Sequence, residues 1–247
     1  MQAVILAAGM GSRIREWHLL PKGFICLGKQ PIIQESVQAL KQAGIHDILV
    51  VTGYAAHYYH TFAKENNIAT TFNADYHRYG SLYSLYCAKD WITDDFLLLE
   101  SDIIYEFKAI ESILASPHRN VILLSGETCA SDEVYVEAEH QKLIRMSKQK
   151  NQLDEAKIIG EFVGINKLSL SDYRQLINQL KQNPSILQQG HYDEHGIVTI
   201  THYTDVFCLK MGDLLWSEID NYFQLNRAKT IYLHLIQGRA RQQALIL

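Results

Sequence analysis

The sequence holds little that would staple it, span a membrane or separate modules. Its 4 cysteines in 247 residues (Cys26, Cys87, Cys129, Cys208) are scattered and form no C-x-x-C pair. That excludes a disulfide framework and a cysteine-rich zinc site, and points to free thiols in a reducing compartment. Only 4 prolines are present, and no proline-, glycine- or serine-rich stretch marks a linker. No fixed-period repeat is visible. The formal net charge of −4 lacks the basic surplus that a nucleic-acid partner requires. The opening run Met1-Gln2-Ala3-Val4-Ile5-Leu6-Ala7-Ala8-Gly9 has no basic segment and meets glycine almost at once. The expectation is therefore neither a signal peptide nor membrane insertion, and a cytoplasmic location. What is present is ordinary for a globular protein: 47% apolar and 20% charged residues. Such a composition excludes a disordered chain.

Apolar runs without polar alternation fall at 3–7, 47–52, 68–72, 96–99 and 120–125. They read as strands covered on both faces. Amphipathic stretches at 32–43, 55–66, 81–90 and 108–115 separate them as crossover helices. Beyond residue 125 the rhythm changes. Segments 134–138 and 142–146 alternate as half-exposed antiparallel strands do. A strand at 160–165, a helix at 169–182, a strand at 205–209 and a closing helix at 222–236 complete the pattern. The predicted class is α/β, Rossmann-like, with a mixed but mostly parallel central sheet, flanking helices and a small antiparallel lid. One domain over 1–247 is expected, with about 127–200 supplying the lid and acceptor-binding elements.

The sharpest local signal is Leu6-Ala7-Ala8-Gly9-Met10-Gly11-Ser12-Arg13, followed by Pro21-Lys22. A buried strand runs into a glycine turn whose backbone N–H groups are free to face an anion. Arg13 and Lys22 can then offset phosphate charge, one as a fork and the other as a point charge. The Walker A spacing is absent, and Ile14 occupies the place of the third glycine of a dinucleotide fingerprint.

This run resembles the signature of nucleotidyltransferases of the nucleotide-diphospho-sugar transferase fold, which join a nucleoside triphosphate to a phosphorylated small molecule. The resemblance continues through Ile32-Ile33, Ala43-Gly44-Ile45 and Val50-Val51-Thr52-Gly53-Tyr54. It is more specific in Phe72-Asn73-Ala74-Asp75-Tyr76, Ser81-Leu82-Tyr83-Ser84-Leu85, Phe96-Leu97-Leu98-Leu99-Glu100-Ser101-Asp102, Gly160-Glu161-Phe162-Val163-Gly164-Ile165 and Trp216-Ser217-Glu218-Ile219-Asp220. These resemble the cytidylyltransferases that activate phosphocholine or 2-aminoethylphosphonate. Departures are Tyr79-Gly80-Ser81, where these relatives often carry asparagines, and Ser101, where glycine commonly precedes the aspartate.

The resemblance implies a catalytic role for Lys22 and Arg13. It implies nucleotide contacts from Leu6, Ala7, Ala8, Gly9, Met10, Gly11, Ser12, Gly53, Tyr54, Asn73, Ser81 and Ser84. Asp102 and Asp220 would hold Mg2+, for which oxygen ligands are the rule. The alternative for each aspartate is a helix cap, Asp102 on a helix starting at Ile103 and Asp220 on the final helix. Glu100 and Glu218 are expected to face away from these aspartates. Acceptor contacts are expected from Glu161, Tyr135, Asp132, Tyr192, Trp216 and Glu218, because carboxylates and aromatic faces both attract an ammonium group. For most tyrosines plain packing is the alternative. His191, His195 and His202 lack metal-site spacing and are read as surface or lid residues.

The implied reaction transfers CMP from CTP to 2-aminoethylphosphonate or phosphocholine and releases pyrophosphate. The implied partners are CTP and a small phosphorylated or phosphonate amine, with a homodimer left open. Against it stand a sugar-1-phosphate nucleotidyltransferase, a non-catalytic nucleotide-binding module on the same fold, and a metal-dependent glycosyltransferase.

Overall fold

A computed structural model of the chain describes residues 1–130, 132–187 and 192–244, with the backbone alone over 239–244. The first half runs β1 (Gln2–Ala7), α1 (Ile32–Gln42), β2 (Ile48–Thr52), α2 (Ala56–Asn66), β3 (Ala69–Phe72), α3 (Ser81–Cys87) and β4 (Phe96–Glu100). Next come β5 (Ile103–Tyr105), α4 (Lys108–Ala115), β6 (Val121–Ser125), β7 (Tyr135–Glu139), β8 (Lys142–Ser147) and β9 (Ile158–Leu168). The chain closes with α5 (Leu170–Gln182), α6 (Asp193–Ile200), β10 (Phe207–Met211), β11 (Trp216–Glu218) and α7 (Tyr222–Ala244).

Nine strands form one mixed sheet in the order β3-β2-β1-β4-β9-β6-β10-β8-β7. Strands β3, β2, β1 and β4 are parallel, with Ile5 opposite both Val50 and Leu99. Helices join these strands, as parallel crossovers require. Strand β9 runs antiparallel between β4 and β6, while β10 is parallel to β6. The β7–β8 hairpin is continuous with this sheet: β8 meets β10, and β7 turns back onto the start of β9.

The period-2 alternation of β1 separates two cores. Val4 and Leu6 pack with Leu82 and Leu85 of α3, Tyr173 and Leu176 of α5, and Ile197 of α6. Ala3, Ile5 and Ala7 pack on the other face with Ile33 and Val37 of α1, Phe62 of α2, and Ile110 of α4. The result is a three-layer α/β/α sandwich. A third cluster of Ile14, Ile25, Ile32, Ile104, Ile219 and Tyr232 fastens α7 behind the glycine turn.

Two local features stand outside the expectation. The helix begins at Lys108, as the pattern predicts, but residues 103–105 form a strand, β5, paired antiparallel with β11, which rules out the alternative helix start at Ile103. Helix α6 lies in a segment where no helix was expected. Among the described residues, no helix is long and apolar enough to cross a membrane.

Candidate active site

Adjacent parallel strands β1 and β4 end at Ala7 and Glu100, and a cavity of about 320 Å3 opens beyond them. Ligands collect at this edge of such sheets. The glycine turn from Gly9 to Arg13 lines it, together with Leu6, Ala7, Ala8 and Lys22. Gly11 has a φ of +59°, and a Cβ there would lie 3.1 Å from Cγ of Lys22. Glycine at this position lets the lysine stem cross directly over the turn. A Cβ on Gly53 would stand 2.7 Å from the Ala8 carbonyl oxygen, which accepts a hydrogen bond from Tyr54 N at 3.1 Å.

Gly53 and Tyr54 shape the turn from behind and lie outside the cavity lining. Tyr54 instead places its ring 4.1 Å from the Arg15 guanidinium. Asn73 is also outside the lining: it donates to Ser84 Oγ at 3.0 Å and accepts from Asp75 N at 2.9 Å. Ser84 and Ser81 do line the cavity. Ser81 is already engaged, donating to Asp193 Oδ1 at 2.6 Å and accepting from Asp193 N at 2.9 Å.

Lys22 and Arg13 converge on the two aspartates. Lys22 Nζ donates to Asp102 Oδ2 at 2.6 Å and to Asp220, and Arg13 donates to Asp220 from the other side. Burial alone would lower the Lys22 pKa, but Asp102 and Glu218 outweigh it and the net shift is upward, so the amine stays charged.

Neither aspartate caps a helix. Asp102 lies in the turn between β4 and β5, with Ile219 N donating to its carbonyl at 3.0 Å. The cap of α7 is Asn221, whose Oδ1 accepts from Gln224 N at 3.0 Å. Gln224, 3% exposed, links the site further. Its Oε1 accepts from Asp220 N at 2.6 Å and its Nε2 donates to Asp132 Oδ1 at 2.7 Å.

Contrary to expectation, Glu100 and Glu218 do not face away from the aspartates: positions two apart on an extended chain share a face. Oxygens of Glu100, Asp102 and Glu218 lie within 4.8 Å of one another, as do those of Asp132, Glu218 and Asp220. All-oxygen donor sets of this kind fit a hard divalent cation such as Mg2+. Burial, then Asp102, pushes the Glu218 pKa up to about 7 against the opposing effect of Lys22. Burial, then Asp193, raises Glu194 to about 8, and burial with Glu218 holds Glu100 well above the usual carboxylate range.

The remaining expected acceptor residues divide. Asp132, Glu161, Tyr192, Trp216 and Glu218 line the cavity, whereas Tyr135 lies outside it. Tyr135 donates to Glu133 Oε2 at 3.3 Å, with the Lys150 ammonium 4.4 Å from its ring centroid. Glu161 accepts from Thr128 N at 2.8 Å and Thr128 Oγ1 at 2.9 Å, tying the loop after β6 to β9. Burial raises its pKa to about 7 despite these bonds. His195 and His202 are exposed and outside the lining, and His191 lies outside the described residues.

Sequence reasoning missed the contributions of Glu100, Lys148, Gln224 and Arg227, all of which line the cavity. For the last two a signal existed: positions 224 and 227 are three apart on one helix, so they share a face. The others arrive from distant segments and carry no local signature.

Residues 3–156 match the MobA-like NTP transferase domain. The chain belongs to this nucleotidyltransferase family. The MobA-like match ends before the residues that supply Glu161, Glu194, Glu218 and Asp220. Among relatives, choline-phosphate cytidylyltransferase of Streptococcus pneumoniae is 31% identical over 99 residues, covering 40% of this chain and 43% of that protein. The chain thus matches less than half the length of that relative. CTP:phosphoglutamine cytidylyltransferase of Campylobacter jejuni is 26% identical over 195 residues, 72% of this chain and 76% of that protein. The solved CTP:phosphocholine cytidylyltransferase of S. pneumoniae superposes with a TM-score of 0.75 at 19% identity, over 94% of this chain and 98% of that one. At that identity the likeness speaks to the fold.

Proposed function

We propose that this protein is a Mg2+-dependent cytidylyltransferase that transfers CMP from CTP to a small phosphorylated or phosphonate amine and releases pyrophosphate. The observation that carries the reading is the convergence of Lys22 and Arg13 on Asp102 and Asp220, at the mouth of a glycine turn that follows a buried strand. A phosphoryl or phosphonyl oxygen attacking the α-phosphorus concentrates negative charge. Positioned cations then supply most of the catalysis. Lys22 and Arg13 already lie beside the turn and exchange carboxylate partners for phosphate oxygens when CTP enters. A divalent cation bound by Asp102 and Asp220, with Glu218 beside them, would offset further phosphate charge. The chain acts as one nucleotidyltransferase domain in the cytoplasm, with 127–200 contributing the lid and acceptor elements.

The acceptor's amine faces Glu218 and Glu194, with Tyr192 beside them. Carboxylates accept hydrogen bonds from a primary ammonium, which a trimethylated one lacks. This favours 2-aminoethylphosphonate over phosphocholine. The test is pyrophosphate release with CTP and Mg2+ for 2-aminoethylphosphonate, phosphocholine and glucose-1-phosphate. Higher kcat/KM for 2-aminoethylphosphonate is expected. A preference for phosphocholine overturns the acceptor choice, and one for glucose-1-phosphate overturns the cytidylyltransferase branch.

A further inference from the structure

The acceptor end of the cavity holds an arginine that neither the motif nor the reading above uses. Arg227 projects from the second turn of α7 into the lining, half-buried. Among the described residues its one hydrogen bond runs from Nη2 to the Trp216 carbonyl at 3.4 Å, a long contact for a group with five donors. Glu161, Glu133 and Asp132 stand near enough to act on its charge. None of them comes within the 4.0 Å ion-pair distance that Lys22 and Arg13 reach with their aspartates. Among the described residues, most of the fork is therefore unengaged.

A second donor belongs to the residue whose carbonyl Arg227 meets. Trp216, 4% exposed, lines the same cavity, and its Nε1–H is buried without a hydrogen-bond partner. Two donor groups on neighbouring residues, one of them a permanent cation, define a place for oxygens that bear negative charge. Among the described residues, the nearby carboxylates are at least partly engaged elsewhere. Glu161 holds Thr128, and Asp132 accepts from Gln224.

We propose that Arg227, with the Trp216 indole N–H, binds the phosphate or phosphonate oxygens of the acceptor. The inference rests on the function proposed above and deepens it. The acceptor is then read from two ends: its phosphoryl group by Arg227, its amine by the carboxylates across the cavity. A guanidinium can hold two oxygens of one phosphoryl group at once and so orient the third towards the α-phosphorus, a geometry that a lysine lacks. The same arrangement rejects a dephosphorylated amine, which would leave the fork unpartnered among acids.

The experiment compares wild type, Arg227→Gln and Arg227→Lys in steady-state turnover. The acceptor is titrated at saturating CTP and Mg2+, and CTP is titrated at saturating acceptor. Arg227→Gln is expected to raise the acceptor KM at least 10-fold and to leave the CTP KM within about 2-fold, as loss of a charged hydrogen-bond partner does. Arg227→Lys should recover part of that loss. A calorimetric titration of the protein with CTP and Mg2+ should give the same affinity in all three. An unchanged acceptor KM in Arg227→Gln overturns the assignment. An equal loss of CTP affinity accompanied by a lowered melting temperature also overturns it, in favour of a structural role. If the wild type transfers CMP to no acceptor of the panel, the proposed function fails instead, which separates the two.

Discussion

Lys22 is engaged twice in the structure, since its ammonium bridges Asp102 and Asp220 before any substrate is present. Removing it therefore does two things. Lys22→Ala should cut turnover by on the order of 100-fold or more, as loss of a transition-state cation does. It should also lower the melting temperature in chelator, because Asp102 loses its cation and buried Asp220 is left with Arg13 alone. Added Mg2+ should restore much of that stability without restoring turnover, and a melting series with and without Mg2+ beside a rate assay checks both. Glu161 gives a second residue-scale prediction. Its ordinary pKa of 4.5 rises to about 7 in the fold, so the folded state holds a proton that the unfolded chain releases. The stability this contributes is fully present below pH 4.5 and is lost as pH rises through about 7. Denaturant unfolding of wild type and Glu161→Gln from pH 4 to 8.5 should show the wild type losing ground to the variant across that window, with a flat difference above it.

The same carboxylate ties a loop to a strand, and at the scale of elements such ties decide where the site forms. The loop after β2 presses on the loop after β1 through Gly53, where a Cβ would meet Ala8 O at 2.7 Å and Tyr76 Cβ at 2.6 Å. Gly53→Ala must push the glycine turn out of place. A stability loss of about 1–3 kcal/mol in denaturant unfolding is expected, as for overpacking elsewhere, along with a raised KM for CTP and a smaller change in the acceptor KM. These elements were legible to different degrees. The covered strands β1, β2, β4 and β6 read directly from unbroken apolar runs, and the glycine turn with Lys22, Asp102 and Asp220 read from its motif. Strand β5 did not: three residues after an aspartate look like a helix start, and their partner β11 lies over a hundred positions away. Helix α6 escaped because glycine and β-branched residues fill Asp193–Ile200, while its position is fixed by packing of Gly196 against Leu82 of α3. Glu194 and Asp193 came into the site with it.

Taken as a whole, the molecule concentrates its charge imbalance where the chemistry is expected. Its formal net charge is −4. The cavity alone is lined by Glu100, Asp102, Asp132, Glu133, Glu161, Glu194, Glu218 and Asp220, against Arg13, Lys22, Lys148 and Arg227 as cations. The formal surplus of acids in the cavity therefore matches that of the entire chain. A triphosphate entering such a cleft alone adds charge of the wrong sign, and it can recruit Lys22 and Arg13 only by stripping them from Asp102 and Asp220. A divalent cation alone meets the converse obstacle, since Lys22 already neutralises the carboxylates it needs. Together the two ligands can exchange partners with the protein, the cation taking the carboxylates as the triphosphate takes Lys22 and Arg13. Binding of CTP and Mg2+ should accordingly be cooperative. At 100 times its dissociation constant a ligand stabilises the folded state by about 2.7 kcal/mol, and in a chain of this length each kcal/mol moves the melting temperature by about 2–4 °C. CTP with Mg2+ should therefore raise the melting temperature by on the order of 5–10 °C, well beyond the sum of the shifts with CTP in chelator and with Mg2+ alone. In Lys22→Met, which keeps the stem across Gly11 and loses the charge, Mg2+ alone should produce a larger shift than in wild type. Equal shifts for CTP with and without Mg2+ would show that the carboxylates and their cations do not change partners.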